Sequence, residues 1–274
     1  MGIDRLQDDH TEEVYRFVQN IRDYIDPFQV KVIFDIGSRD ACESITLKKF
    51  FSNAVIYAFE CNPSAIELCR KNIANRKDII LVDKAVADVS GPIDFFAIDP
   101  NKTKTSHADG NIGASSLFLA NPKYPYEKYC QNKIKVESVA LKEWVQELGV
   151  NDIDIIWIDL QGAELKAFKG MGDFLSRVKI IYTEVEFKQI YIGQPLFWQV
   201  NKYLASKGFI LLKIEGGGWF GNALYINKSF VRKACLVKFL ILKYFTYSYI
   251  FVVRLQRNLL DFIGSFKCKA ENLL

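Results

Sequence analysis

Three short apolar runs, each carrying a carboxylate at or next to its last residue, constrain this chain most. They are VKVIFDI (30–36, with Asp35), AVIYAFE (54–60, ending in Glu60) and IDIIWIDL (153–160, with Asp159). Runs this short and this uniformly apolar suit strands of a parallel sheet covered on both faces. Segments of helix length and mixed polarity lie between them. These are residues 40–51, a stretch opened by Asn62-Pro63 that runs to about Asn75, 141–148, about 162–171 with Gly170 as its expected C-cap, and Pro195 to about Ser206. IILVDKAVAD (79–88) predicts the third strand and its exit. IDFFAI (93–98), KIKVESV (133–139), VKIIYTEVE (178–186), GFILLKI (208–214) and NALYIN (222–227) predict further strands, with Gly216-Gly217-Gly218 as the turn between the last two. Strands alternating with helices predict an α/β fold with a mostly parallel sheet. Residues 99–132 show no apolar period and read as a long loop or lid over a site.

The chain has 274 residues, half of them hydrophobic, enough for one core. It divides into a helical lead-in (1–29), an α/β body (30–227) and a basic extension (228–274). Nine of the 36 basic residues but only two of the 32 acidic ones fall from Lys228 onward, which leaves the body slightly acidic. That balance argues against a domain-wide nucleic-acid surface. The apolar stretch 234–253 has the length of a membrane span, but Lys238 and Lys243 interrupt it. Amphipathic helices are expected instead, packed on the body, on a second subunit in a homodimer, or on a membrane surface through residues 228–270. The six cysteines form no C-x-x-C pair, and no metal site is expected. The amino terminus is too polar for a signal peptide, and Leu6 stands where a myristoylation pattern needs Ser or Thr. A cytoplasmic protein with reduced thiols is expected.

Carboxylates at strand ends point to a ligand site, because the carboxyl edge of an open parallel sheet is where ligands bind. Gly37 follows Asp35 at the turn into a helix, and by itself serves equally as a structural turn. Glu60 ends the second strand and suits the paired hydroxyls of a ribose. A diphosphate needs G-x-G-x-x-G, whereas Gly37 opens G-S-R-D-A-C with Arg39 at the second glycine position. S-adenosylmethionine carries no phosphate, and its ammonium and carboxylate groups suit Asp35 and Arg39. Ser38, Cys61, Asn62, Lys84 and Asp159 complete the expected cofactor-binding set.

Chemistry at a protic acceptor beside this edge needs a group that takes up a proton. Asp159 is the first candidate, with Glu164 and Glu184 beside it; Glu186 shares the face of Glu184 on one strand. Asp159 serves alternatively as a helix cap, and the two strand glutamates as a solvated strand end. His107 sits in the long loop. Phe118, Tyr124, Tyr126 and Tyr191 either form a sleeve around an acceptor or anchor the loop, while Ser115 and Ser116 offer hydroxyls. Residues 188–194 are expected to help enclose the acceptor.

Three motifs make the chain similar to the FkbM family of methyltransferases. They are Asp35-Ile36-Gly37-Ser38-Arg39-Asp40-Ala41, then Phe59-Glu60-Cys61-Asn62-Pro63, then Trp157-Ile158-Asp159-Leu160-Gln161-Gly162-Ala163-Glu164 followed by Lys169-Gly170. The likeness spans roughly residues 30–227. It implies a Rossmann-like class I fold with a seven-stranded, mostly parallel sheet and helices on both faces. It also implies S-adenosylmethionine as cofactor and O-methylation of a carbohydrate, glycolipid or small metabolite. Arg39 and Ala41 replace the family's Asn and last Gly, and Gln161 stands where Glu is common. A non-catalytic cofactor-binding scaffold that docks through the basic tail is the second reading. A nucleic-acid methyltransferase is the third, and it lacks the N/D-P-P-[YF] tetrapeptide at Asp159-Leu160-Gln161-Gly162.

Overall fold

The apolar runs fold into the centre of one seven-stranded sheet. In the computed structural model, which describes residues 3–231, the chain order begins with α1 (Ile3–Ile21), β1 (Val32–Ile36), α2 (Cys42–Phe50), β2 (Val55–Phe59) and α3 (Pro63–Ile73). It continues through β3 (Ile79–Val82), β4 (Ala85–Val86), β5 (Gly91–Ile98), β6 (Gln131–Val139), α4 (Leu141–Glu147) and β7 (Ile153–Ile158). It ends with α5 (Glu164–Gly170), β8 (Val178–Glu186), α6 (Phe197–Ser206), β9 (Phe209–Gly217) and β10 (Phe220–Asn227). The basic extension with its expected amphipathic helices lies outside the described residues. Among those described, no helix is long and apolar enough to cross a membrane.

The sheet order is β3-β2-β1-β7-β8-β10-β9, parallel except where β10 runs antiparallel to both neighbours. This is the Rossmann-like arrangement that the family likeness implies, with the order reversing between β1 and β7. β7 is buried at all six positions because helices cover both sides of the central strands. On one face Phe34, Trp144, Phe168 and Phe197 pack with α4, α5 and α6. On the other, Val14, Phe17, Leu47, Cys69 and Trp157 pack with α1, α2 and α3. Phe17 meets Trp157 edge-on at 5.4 Å and Tyr182 at 5.2 Å, so the lead-in helix is part of the core. Burying a side chain of this size contributes about 2 kcal/mol.

Two expectations need correction, and the exit from the third strand gains a pairing. The third strand ends at Val82, where the chain leaves the main sheet, and in the exit Ala85-Val86 pairs with Ser138-Val139 in a separate sheet of order β4-β6-β5. Gly170 is not a left-handed cap, since it ends α5 and the chain continues into a 3-10 turn at Gly172–Arg177. Its side chain is missing for another reason, because a Cβ there would lie 2.0 Å from the Ala87 carbonyl oxygen. The long loop is pinned rather than free. Bridges join Phe96 to Ser116, Lys104 to Lys128 and Ala120 to Tyr191, around a 3-10 turn at Ile112–Ala114.

Candidate active site

A cavity of about 650 Å³ opens at the carboxyl ends of β1, β2 and β7 and runs beneath the pinned loop. This is the ligand-binding edge of such a sheet, and the volume suits a cofactor with part of a second ligand. Asp35, Gly37, Arg39, Glu60, Cys61, Asn62 and Lys84 line one end; Asp159, Gln161 and Glu184 line the other.

At the first end the turn after β1 is built from backbone bonds. The Gly37 and Ser38 amides both donate to the Phe59 carbonyl, at 2.9 and 3.0 Å, and the Arg39 amide donates to Glu60 Oε2 at 2.8 Å. Glu60 Oε1 also accepts from the Cys61 and Asn62 amides, at 2.8 and 2.7 Å. Burial pushes the Glu60 carboxyl above its ordinary range, and these three amides oppose that rise. A carboxylate offers about four acceptor positions, so one is left for a ligand. Asp35 is 1% exposed and accepts from Ser44 Oγ at 2.5 Å; burial, then the charge of Glu43, holds its carboxyl well above the usual range.

Not every side chain expected at this end is free to meet a ligand. Ser38 is buried, and its hydroxyl donates to the Phe59 carbonyl at 3.1 Å. Asn62 caps α3, accepting from the Ser64 amide, while its amide donates to Ser115 Oγ at 3.1 Å. The Arg39 guanidinium pairs with Asp109 of the loop at 2.6 Å instead of standing free for a carboxylate. Cys61 and the exposed Lys84 stand on the wall.

At the far end, Gln161 Nε2 donates to Asp159 Oδ1 at 2.8 Å and to Glu184 Oε2 at 3.0 Å. Burial raises both carboxyls, and the charge of Asp159 raises Glu184 further. Asp159 caps no helix, because the residue preceding α5 is Ala163 and makes no side-chain cap bond. Glu164 is turned away from the cavity: its Oε1 accepts from the Leu160 and Gly162 amides at 2.7 and 3.3 Å. Burial, then Asp159, pushes its carboxyl up to about 7. Glu186 shares the strand face of Glu184 but is buried beside Glu164 and Gln194 and does not line the cavity. His107 is exposed at the rim.

The loop aromatics divide between the two roles expected of them. Tyr191 and Tyr124 are buried anchors, while Tyr126 is 70% exposed at the cavity mouth. Ser115 and Ser116 hold the loop itself, through the Ile112 carbonyl at 2.7 Å and the Gln161 carbonyl at 2.8 Å. Glu13 of α1 is a wall residue that sequence reasoning missed. It accepts from Tyr182 Oη at 3.0 Å and Asn222 Nδ2 at 2.6 Å. Nothing on a polar helix face distinguishes it from a solvated glutamate. Among the described residues no group of three or more His, Cys, Asp or Glu is placed to hold a metal ion.

Residues 34–211 match the family described as the Methyltransferase FkbM domain. The chain belongs to the FkbM methyltransferase family. This methyltransferase is also similar to the 2-O-methyltransferase NoeI of Sinorhizobium fredii, with 30% identity over 188 residues, 66% of this chain and 72% of that protein. Among solved structures it is similar to the fibrillarin pre-rRNA processing protein of Methanococcus jannaschii, with 12% identity, TM-score 0.45, and 74% of this chain and 70% of that one covered. It is similar as well to TrmK of M. capricolum in complex with S-adenosyl-homocysteine, with 12% identity, TM-score 0.43, and 78% and 68% covered. The matched domain of the methyltransferase takes in Asp35, Glu60, Asp159, Gln161 and Glu184. Glu13 and Asn222 lie outside it.

Proposed function

We propose that this methyltransferase uses S-adenosylmethionine to methylate a hydroxyl group of a carbohydrate or another small polyhydroxy acceptor, with Asp159 as the general base. The observation that carries this reading is the pair of partly buried carboxyls, Asp159 and Glu184, bridged by Gln161 at one end of a cavity whose other end presents Glu60 and Asp35. The chemistry of the donor set fits that cofactor. Both amides of the glycine turn are spent on the Phe59 carbonyl, so no amide cradle remains there for a diphosphate. Glu60 keeps an acceptor position for ribose hydroxyls, Asp35 offers a carboxyl oxygen to an ammonium, and Ala65, Val86 and Phe95 give apolar wall for a purine.

S-adenosylmethionine supplies an electrophilic methyl group when bound. Asp159 takes the proton of the attacking hydroxyl, and burial raises its basicity toward that task. The loop excludes water and orients the acceptor, which supplies much of the rate in a displacement of this kind. Tyr126 and Tyr129 offer ring surface and hydroxyl contacts suited to a sugar. The likeness to a 2-O-methyltransferase supports oxygen as the methyl acceptor.

The test is calorimetric titration with S-adenosylmethionine and S-adenosylhomocysteine beside Glu60→Ala, followed by transfer of labelled methyl to a panel of glycosides and polyols. Binding that is lost in Glu60→Ala, with label appearing on an acceptor oxygen, supports the reading. A folded protein that binds neither nucleoside overturns it.

A further inference from the structure

Gln161 is more than a departure from a family motif. Its side-chain amide has two N–H donors and one carbonyl acceptor, and all three are directed to partners. The donors reach Asp159 Oδ1 at 2.8 Å and Glu184 Oε2 at 3.0 Å, and the carbonyl oxygen lies 2.8 Å from the Tyr191 hydroxyl. The Tyr191 hydroxyl is also 2.7 Å from the Ala114 carbonyl, and Ser116 Oγ donates to the Gln161 carbonyl at 2.8 Å. The backbone at Gln161 is left-handed, with φ of +52°, a conformation that persists where surrounding contacts determine it. The Gln161 amide itself donates to Asp159 Oδ1 at 3.3 Å.

A carboxylate in this place would reverse the pattern. Glutamate presents acceptors only, so two donated bonds would become two repulsions beside carboxyls that are already partly buried.

We infer that Gln161 is a positioning residue that holds Asp159 and Glu184 as a pair sharing one proton, with the charge on Asp159 and the proton on Glu184. The inference rests on the reading of Asp159 as the base. The proton balance is closed: the acceptor hydroxyl gives its proton to Asp159 as the new C–O bond forms and the C–S bond breaks. Asp159 then returns the proton to water after the products leave. Glu184 keeps its proton throughout, so the charge stays on the carboxyl that meets the acceptor.

The surroundings support this partition. Glu43 on α2 acts on Asp159, the Asp159 charge bears on Glu60, Glu164 and Glu186 as well as on Glu184, and Glu164 and Glu186 also act on Glu184. Tyr129 lines the same cavity, and Tyr191 is buried against Gln161. Both carboxyls stand above the usual range through burial, and Glu184 stands higher because Asp159 is charged.

The experiment compares wild type with Gln161→Glu and Gln161→Asn, with Glu184→Gln to identify the shared proton. Infrared difference spectra against pH read the protonated carboxyl band that disappears in Glu184→Gln. In Gln161→Glu that band should titrate about one pH unit or more higher. The acid limb of the kcat profile should move in the same direction, with kcat reduced about tenfold or more and cofactor affinity within about twofold of wild type. Gln161→Asn keeps both donors on a shorter arm, so part of kcat should return without the shift. A Glu184-dependent band that titrates in Gln161→Glu where it does in wild type overturns the inference. So does a wild-type protein without such a band. If the band shifts but no acceptor is ever methylated by wild type, the pairing stands and the catalytic reading fails.

Discussion

Gly37 and Asp159 approach so closely that a Cβ on residue 37 would lie 1.9 Å from the Asp159 carbonyl oxygen. The contact joins the turn after β1 to the end of β7, and so joins the two ends of the cavity through backbone alone. Gly37 also has φ of +88°. Gly37→Ala therefore meets both a steric and a conformational penalty, and should lower unfolding free energy by about 3 kcal/mol or more. Urea denaturation reads this directly, with Ser38→Ala as the milder comparison, because it removes one hydroxyl bond worth about 1 kcal/mol.

Glu164 gives a pH dependence with a definite sign. Its folded-state value of about 7 stands above its ordinary 4.5 because burial and the Asp159 charge disfavour ionisation. The folded state thus holds a proton that the unfolded chain has released between those two values. The associated stability is fully present below about pH 4.5, is lost as pH rises through about 7, and changes no further above that. For this group alone the change is on the order of 3 kcal/mol. Denaturation midpoints should fall from about pH 5 to about pH 8, and fall less in Glu164→Gln. An unchanged slope in that variant would show that the proton resides elsewhere.

The Arg39–Asp109 pair ties the loop to the Glu60 end of the cavity, with both side chains only partly covered. Such a pair contributes about 1 kcal/mol and weakens in salt. Asp109→Asn should speed limited proteolysis within residues 99–132 by roughly fivefold at low ionic strength. The difference should shrink in high salt. Equal digestion rates at low salt would mean that the other loop ties suffice.

Glu13 fastens α1 to the sheet through Tyr182 and Asn222. Glu13→Ala should destabilise the fold by about 1–3 kcal/mol, since it strands the Asn222 amide and leaves the Tyr182 hydroxyl only its 3.5 Å contact with Glu215. A double-mutant cycle with Asn222→Ala should return a coupling of about 1 kcal/mol. Additive losses would show that the bond contributes nothing net.

The central sheet was legible because β1, β2 and β7 are short, predominantly apolar runs that are largely buried on both faces. Asp35, Glu60 and Asp159 were legible for the same reason, since a carboxylate closing an apolar strand stands at the ligand edge. The small sheet was not, because Ala85-Val86 is two residues long and its pairing with β6 is decided by tertiary contact. Which acids face the cavity was equally hidden. Glu184 and Glu186 share one strand face and Asp159 and Glu164 share one motif, so which of each pair lines the cavity is decided by tertiary packing that no local pattern records. Ser38 and Asn62 sit inside legible motifs, yet their side chains are consumed in building the turns that present their neighbours.

The pinned loop touches both ends of the cavity at once. Arg39–Asp109 and Asn62–Ser115 hold it to the Glu60 end, while Ser116–Gln161 and Tyr191–Ala114 hold it to the carboxyl pair. Two ligands that each tighten this strap cannot bind independently. Whatever factor the first adds to the affinity of the second, the second must add to the first, so saturation with one partner reports on the other without any contact between them.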